Sequence, residues 1–369
     1  MTATVFFATI RARSETENTF RKIEKLCRAL DLPNILKDCR YTAIKLHFGE
    51  RGNDAYIRPP HVRPVVDAVR AAGCRPFLTD TNTLYSGSRK NAPDHLETAI
   101  AHGFVHSVVN APVIIADGLT GASAREVPVK LKHFQSVLIA TEIAQADSMI
   151  VLSHFKGHIM AGFGGAIKNL AMGCACVAGK RAQHYCHAFS LPEKCTGCGR
   201  CVSVCPESAI SLTADKKAQV AREQCIGCFE CVSVCPVEAM TVDWRTKMPG
   251  FMERMTEYAY GAVVNKKEHT AYISFLLNVT PDCDCNPWSD SPLVQDIGLL
   301  ASTDPVAIDQ ASLDLVNAQH ALPGTMIDGD CGPGRDKFKA VWKNSLGDIQ
   351  LSYGEAIGLG TTKYELVDI

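Results

Sequence analysis

Long apolar runs are missing from this 369-residue chain. No stretch approaches the roughly 18 uninterrupted apolar residues that a membrane-crossing helix needs, so no membrane partner is expected. A surplus of one charge is missing too: Lys and Arg number 38 against 39 Asp and Glu, for a net charge of −1. Without a basic excess or a long basic run, nucleic acid is excluded as the main partner. No secretory leader is evident. "MTATVFFATIRARSE" has a short apolar run, but no basic segment before it and no small-residue cleavage site. It reads as a first strand, and the chain as a soluble, cytoplasmic protein. At 46% hydrophobic and 21% charged residues, the composition is that of an ordinary globular chain able to bury a sizeable core.

Cysteine is what the chain has in plenty. In a small secreted protein 17 cysteines would suggest disulfides, but here their clustering points to metal and a reducing compartment. Residues 195–206 read CTGCGRCVSVCP and residues 225–236 read CIGCFECVSVCP, two copies of C-x2-C-x2-C-x3-C-P. Zinc knuckles are the alternative, but zinc sites usually take paired C-x2-C units with a longer gap. The repeat resembles the bacterial two-cluster ferredoxin over about fifty residues. In that pattern three thiolates of one turn cap three irons of a cubane, and the fourth cysteine of each run serves the other cluster. The resemblance thus implies one [4Fe–4S] cluster on Cys195, Cys198, Cys201 and Cys235, and a second on Cys225, Cys228, Cys231 and Cys205. Pro206 and Pro236 end the two turns. Gly197 and Gly227 are expected to keep side chains away from the inorganic sulfides.

On either side the pattern is different. "TVFFAT", "YTAIKLHF", "CRPFLTD", "APVIIAD", "DSMIVLSHF" and "AYISFLLNVT" read as strands. "NTFRKIEKLCRAL", "PPHVRPVVDAVRAAG", "APDHLETAIAHG", "LIATEIAQA" and "DPVAIDQASLDLVNAQ" read as helices, the last opening on Asp304. "FKAVWKNSLGDIQLSYGEAIGLG" also looks helical. The alternation predicts an α/β fold, a mostly parallel sheet covered by helices, interrupted by a small two-cluster ferredoxin-like (α+β) domain. The expected segments are residues 1–190 for the first part of the body, 191–242 for the insertion and 243–369 for the second part. Two separate α/β domains are the alternative, disfavoured because the C-terminal part looks too short in strands to close its own sheet.

In parallel sheets the loops at the carboxyl ends of strands build the binding crevice. Here those loops carry Lys45, His47 and Glu50; Asp80, Asn82, Tyr85 and Arg89; His154, Lys156 and His158; and Asp282, Cys283, Asp284 and Cys285. Each set alone is ordinary turn chemistry. "KLHFGE", "DTNTLYSG", "SHFKGH", "GFGGAIKNLAMG", "DCDCNPWSD" and "DPVAIDQAS" together resemble the DUF362 family, often fused to ferredoxin modules and without an assigned reaction. A shorter stretch, H-x-x-A-G-F-G-G-A-I-K and a later histidine, resembles the nickel-pincer segment of the lactate racemase family. His158, Lys168 and His184 match that family's spacing, although its D-x-T-R segment is not evident. That resemblance implies a cofactor held near this corner.

From the residues themselves, Gly162, Gly164 and Gly165 let the backbone approach a ligand, and the helix that follows offers free N–H groups to an anion, with Lys156 or Lys168 as counter-charge. A tight strand-to-helix turn is the plainer reading. Cys283 and Cys285 are placed with both thiols on one side of an extended loop, Asp282 and Asp284 on the other. The pair could bind nickel or zinc beside histidine, relay electrons as a dithiol, or simply be buried. Cys174 and Cys176, in a small-residue helix, read as packing. His47, His154 and His158 are the histidines placed nearest a ligand. His184 and His187 are expected at the ligand or near a cluster. "DGDCGPGRDKF" reads as a polar surface loop.

The function expected is a redox protein that passes single electrons through two clusters to a small anionic ligand or metal centre, with Cys283, Cys285, His158 and Lys168 as its reacting residues. An electron carrier docking a redox partner protein is one alternative. A metal- or cofactor-handling protein with structural clusters is the other.

Overall fold

A computed structural model describes residues 2–85, 87–184, 187–228, 230–241, 248–329 and 331–369. Eight strands form one sheet: β1 (Ala3–Thr9), β2 (Tyr41–Lys45), β3 (Arg75–Asp80), β4 (Val113–Ile115), β5 (Ser148–His154), β6 (Thr270–Leu276), β7 (Gly298–Ser302) and β8 (Tyr364–Asp368). Their spatial order is β8-β1-β7-β6-β5-β2-β3-β4. Only β7 runs against its neighbours; β6, β5, β2, β3 and β4 are all parallel, as are β1 and β8. The α/β class with a mostly parallel sheet holds. Strands from both sides of the cysteine segment share the sheet, and β6 sits directly beside β5.

A sheet covered on both faces must bury successive side chains of a strand in two cores. Along β5, Met149 and Val151 enter one core while Ile150 and Leu152 enter the other. The first core lies under helices Ala166–Cys174, Met248–Val263, Pro305–Asn317 and Asp348–Ala356, through residues such as Leu170, Met255 and Ile308. The second lies under Thr19–Ala29 and Pro59–Ala71, through Leu26, Val62 and Val66.

Two expectations fail. Residues Ser136–Ala140 are a strand, paired antiparallel with Ala124–Pro128, and only Thr141–Gln145 is helical. Val137 and Ile139 are buried in alternation, a period of two that the surrounding apolar run concealed. The C-terminal stretch is not one helix but Lys337–Val341 and Asp348–Ala356, followed by the edge strand β8.

The cysteine segment folds as two matching halves. Hairpin strands Ile210–Leu212 and Ala218–Val220 pair with each other, and Phe189–Ser190 pairs with Met240–Thr241. Short helices Arg200–Ser203 and Glu230–Ser233 follow the first cysteines of each run. The expected end of the insertion at residue 242 lies outside the described residues.

Candidate functional site

The two cysteine runs build two separate spaces. One is lined by Cys195, Cys198, Cys201 and Cys235. The other is lined by Cys205, Cys225, Cys228 and Cys231. Each thus takes three cysteines from one run and the last cysteine of the other. The halves are alike in detail. The amide of Ala209 donates to Cys205 Sγ at 3.2 Å, and that of Ala239 to Cys235 Sγ at 3.2 Å. Gly197 and Gly227 both have positive φ, +72° and +68°. A Cβ on Gly197 would stand 2.4 Å from the Lys216 carbonyl oxygen, so this glycine makes room for backbone and not, as expected, only for a cluster.

The two spaces differ in surroundings. Cys198 of the first is exposed. The second leans on the body: His187 Nδ1 lies 3.0 Å from the Cys225 carbonyl oxygen, and His184 bonds to the Gly227 backbone. Glu230 is close enough to Glu50 of the β2 loop for that charge, after burial, to raise its carboxyl pKa. Burial, with Lys168 nearby, lowers His184 to about 4. His184 therefore stands between the second cysteine space and the body's own cluster of polar groups.

That cluster lies at the carboxyl ends of β6, β5, β2 and β3, four adjacent parallel strands, and there the sequence-predicted loops meet. Lys45 ends β2 and Asp80 ends β3, and they pair at 3.0 Å with side chains 1% and 3% exposed. Lys45 also donates to Asn169 Oδ1 at 2.7 Å. Arg89 pairs with Glu50 at 3.1 Å and donates to the Tyr85 hydroxyl at 2.6 Å. Burial pushes the Asp80 carboxyl up, but Lys45, His47, His95 and Arg89 outweigh it and hold it well below the usual carboxylate range.

The next loops carry the thiols. The segment after β6 turns instead of staying extended, with the Asn286 amide donating to the Cys283 carbonyl at 3.0 Å. The turn still brings both thiols together. Cys283 Sγ, Cys285 Sγ and one ring nitrogen of His158 all lie within 4.8 Å of one another. Asp284 is driven inward, fully buried, against His154 Nδ1 at 2.8 Å and Lys156 Nζ at 3.2 Å. His154, expected at the ligand, is held back from it: its Nε2 also lies 3.0 Å from the Leu277 and Asn278 carbonyl oxygens. It positions Asp284, whose carboxyl burial alone would raise but which His154 and Lys156 keep well below its usual range.

Lys168 Nζ lies 3.6 Å from Cys283 Sγ. A hydrogen bond from Cys285 lowers the Cys283 thiol well below its ordinary value against the effect of burial, with Lys168 and Lys156 adding to it. Cys285, as donor to that thiolate and buried, is raised correspondingly. Burial lowers His158 far below its usual range, with Lys168 and His184 adding to the shift. His47 is lowered in the same way by burial and Arg89, and its Nδ1 accepts from the Gly49 amide at 3.0 Å. Burial, with the Cys283 charge, raises Asp282 to about 6.

The glycine corner is not the anion site expected. Two amides of the following helix, Ala166 and Ile167, donate to the Asp309 carboxylate at 2.6 and 2.9 Å. The chain supplies its own anion from 143 residues away. A Cβ on Gly165 would stand 2.2 Å from Asp309 Oδ1, and one on Gly164 would stand 3.3 Å from Lys168 Cδ and 3.6 Å from Lys156 Cε. Gly162 has φ +75° and lies against Gly347. The corner therefore admits an internal carboxylate and two lysines. Asp309 went unnoticed as a site residue, though a carboxylate amid Val306, Ala307, Ile308 and Ala311 on a helix was its signal.

His158 Nδ1 accepts from the Met160 and Ala161 amides at 3.1 and 3.0 Å. Its Nδ1 lone pair is engaged, and the neutral ring then keeps its proton on Nε2. A nickel or zinc ion could take Cys283, Cys285 and His158 only by displacing these amide hydrogen bonds or the Nε2 proton. The loop at 328–338 holds the chain's own cation: Lys337 Nζ donates to the carbonyls of Asn317, Gly332 and Arg335 at 3.0, 2.8 and 2.9 Å. Cys174 and Cys176 are buried in the core. No helix among the described residues is long and apolar enough to cross a membrane.

The family model described as "Domain of unknown function (DUF362)" matches residues 42–314. Among solved structures, the lactate racemase apoprotein from Thermoanaerobacterium thermosaccharolyticum is 14% identical, with 69% of this chain and 49% of that one covered at a TM-score of 0.36. A protein from Thermotoga maritima is 7% identical, with 72% and 52% covered at a TM-score of 0.37. The chain spans about half the length of these two structures. No curated protein matches it.

Proposed function

Because this chain belongs to the DUF362 family, which carries no assigned reaction, we propose its function from its own residues: it is an iron–sulfur redox protein that delivers electrons to the thiol centre at Cys283 and Cys285. The observation that carries this reading is the partition of eight cysteines into two spaces, each with three residues of one run and the fourth of the other. That partition matches the ligand set expected of two [4Fe–4S] clusters, and each cluster, when bound, would supply one-electron transfer. Amides donating to Cys195, Cys205 and Cys235 would temper the charge on those sulfurs.

The different surroundings of the two quartets give the relay a direction. Exposed Cys198 favours the outer quartet as the side that a donor protein would approach. His184 and His187 tie the inner quartet to the body. A plain electron carrier has no need for a thiolate held between Lys168 and Cys285, so the endpoint lies inside this chain. Cytoplasmic residence follows from cluster cysteines that must stay reduced.

Anaerobic iron and sulfide analysis tests the reading. About eight irons and eight sulfides per chain are expected, falling to about four of each in Cys228→Ala. Two zinc ions per chain in place of iron would overturn it.

A further inference from the structure

We infer that Cys283 and Cys285 form a reversible disulfide, the two-electron acceptor of this protein, an inference that rests on the electron-transfer reading above. Three observations carry it. The turn closed by Asn286 sets the two sulfurs and a ring nitrogen of His158 within 4.8 Å of each other. Closing a disulfide needs Cα atoms roughly 4.4–6.8 Å apart, which residues two apart in a turn satisfy. His158, its Nδ1 held by two amides, keeps its ring beside the two sulfurs. The third observation is the pairing of charges. Lys45 faces Asp80, Arg89 faces Glu50 and Lys156 faces Asp284, whereas the partner of Lys168 is the Cys283 sulfur.

The S–S bond between Cys283 and Cys285 takes up two electrons, delivered singly by an external one-electron donor protein. The bond breaks, one sulfur remains as the Cys283 thiolate beside Lys168, and one proton goes to Cys285, which then donates it back as a hydrogen bond. The reverse reaction returns both electrons and the proton to a two-electron acceptor, such as a small disulfide. Cys283 is 4% exposed, so that acceptor must approach past the more open Cys285. The pair thus converts one-electron delivery into two-electron chemistry.

The test uses the iron-loaded chain. Samples are equilibrated anaerobically in dithiothreitol buffers of graded potential, quenched in acid, alkylated and digested. The peptide bearing both cysteines is then weighed. A single two-electron transition is expected, from a form two hydrogens lighter to one carrying two alkyl groups. It should vanish in Cys283→Ser and Cys285→Ser with iron content unchanged. Added zinc or nickel should not stay bound through gel filtration. Two alkyl groups at every potential would overturn the inference, as would one zinc or nickel per chain that both variants lose. Iron and sulfide counted on the same samples separate the two ideas. A transition without iron defeats the electron-transfer reading alone. About eight irons without a transition defeat the disulfide alone.

Discussion

Cys174-x-Cys176 and Cys283-x-Cys285 have the same spacing, and one helix serves both. Ala166–Cys174 carries Lys168 in its first turn, against Cys283, and Cys174 as its last residue. The Cys174 thiol is fully buried, and burial raises it to about 11 despite Lys45 nearby. Cys176 Sγ is 3.4 Å from the Gly179 amide in a small-residue bend. Cys283 is also buried, yet it is lowered, because a thiol donor and two lysines surround it. Spacing alone does not make a reactive pair. The charge arranged around the sulfur decides, and the comparison can be broken from either side.

The largest effect is expected from Asp284→Ala. His154 and Lys156 would lose the buried carboxylate that both face, and breaking a buried pair costs about 3–5 kcal/mol. Urea unfolding measures it. A loss near zero would mean that the cations around Cys283 are solvated and that the contrast with Cys174 is not electrostatic.

Asp309 comes next, since it fixes the start of the shared helix. Burial raises its carboxyl to about 7, against the Ile167 and Ala166 amides that favour its charge. An unfolded aspartate titrates near ~3.9. Between those values the folded chain holds a proton that the unfolded chain has released. The stabilisation is whole below about pH 4 and is lost as pH rises through about 7. Wild type should therefore lose stability from pH 5 to pH 8 more steeply than Asp309→Asn, in urea titrations at both pH values. Equal slopes would place the Asp309 charge in water.

Removing the charge beside the reactive pair has a smaller effect. Lys168→Met should raise the Cys283 thiol and slow its alkylation by iodoacetamide at pH 7 on the order of tenfold, one pKa unit being about 1.4 kcal/mol. Lys168→Arg should keep most of the rate. Cys174 should react slowly in all three proteins.

How far these features could be read in the sequence follows from the range of each interaction. The gathering of Cys195–Cys205 and of Cys225–Cys235 was legible because each run is written in consecutive residues. The strand-end loops at His47, Asp80, His158 and Cys283 were legible because parallel strands direct their loops to one edge. Asp309 at Ala166 was not, since a helix start looks open until the tertiary fold brings a carboxylate to it. The same blindness placed His154 at the ligand: its partner Asp284 is 130 residues away. The expected helix at 138–146 failed over 138–140 for a local reason, an apolar run in which alternation cannot be seen.

The smallest effect is expected at the silent pair. Cys174→Ala removes one buried sulfur from a site where burial outweighs the nearby charges, and Ala171 and Ala175 already show that small side chains suit this part of the core. The cost should be about 1 kcal/mol, the usual centre for single substitutions. Iron content and the Cys283–Cys285 transition should both be unchanged. A shift in that transition would show that the helix transmits strain from its last residue to Lys168. The two pairs would then be coupled through packing, and the environment of Cys283 would have to be credited to the whole helix and not to the charges around its sulfur.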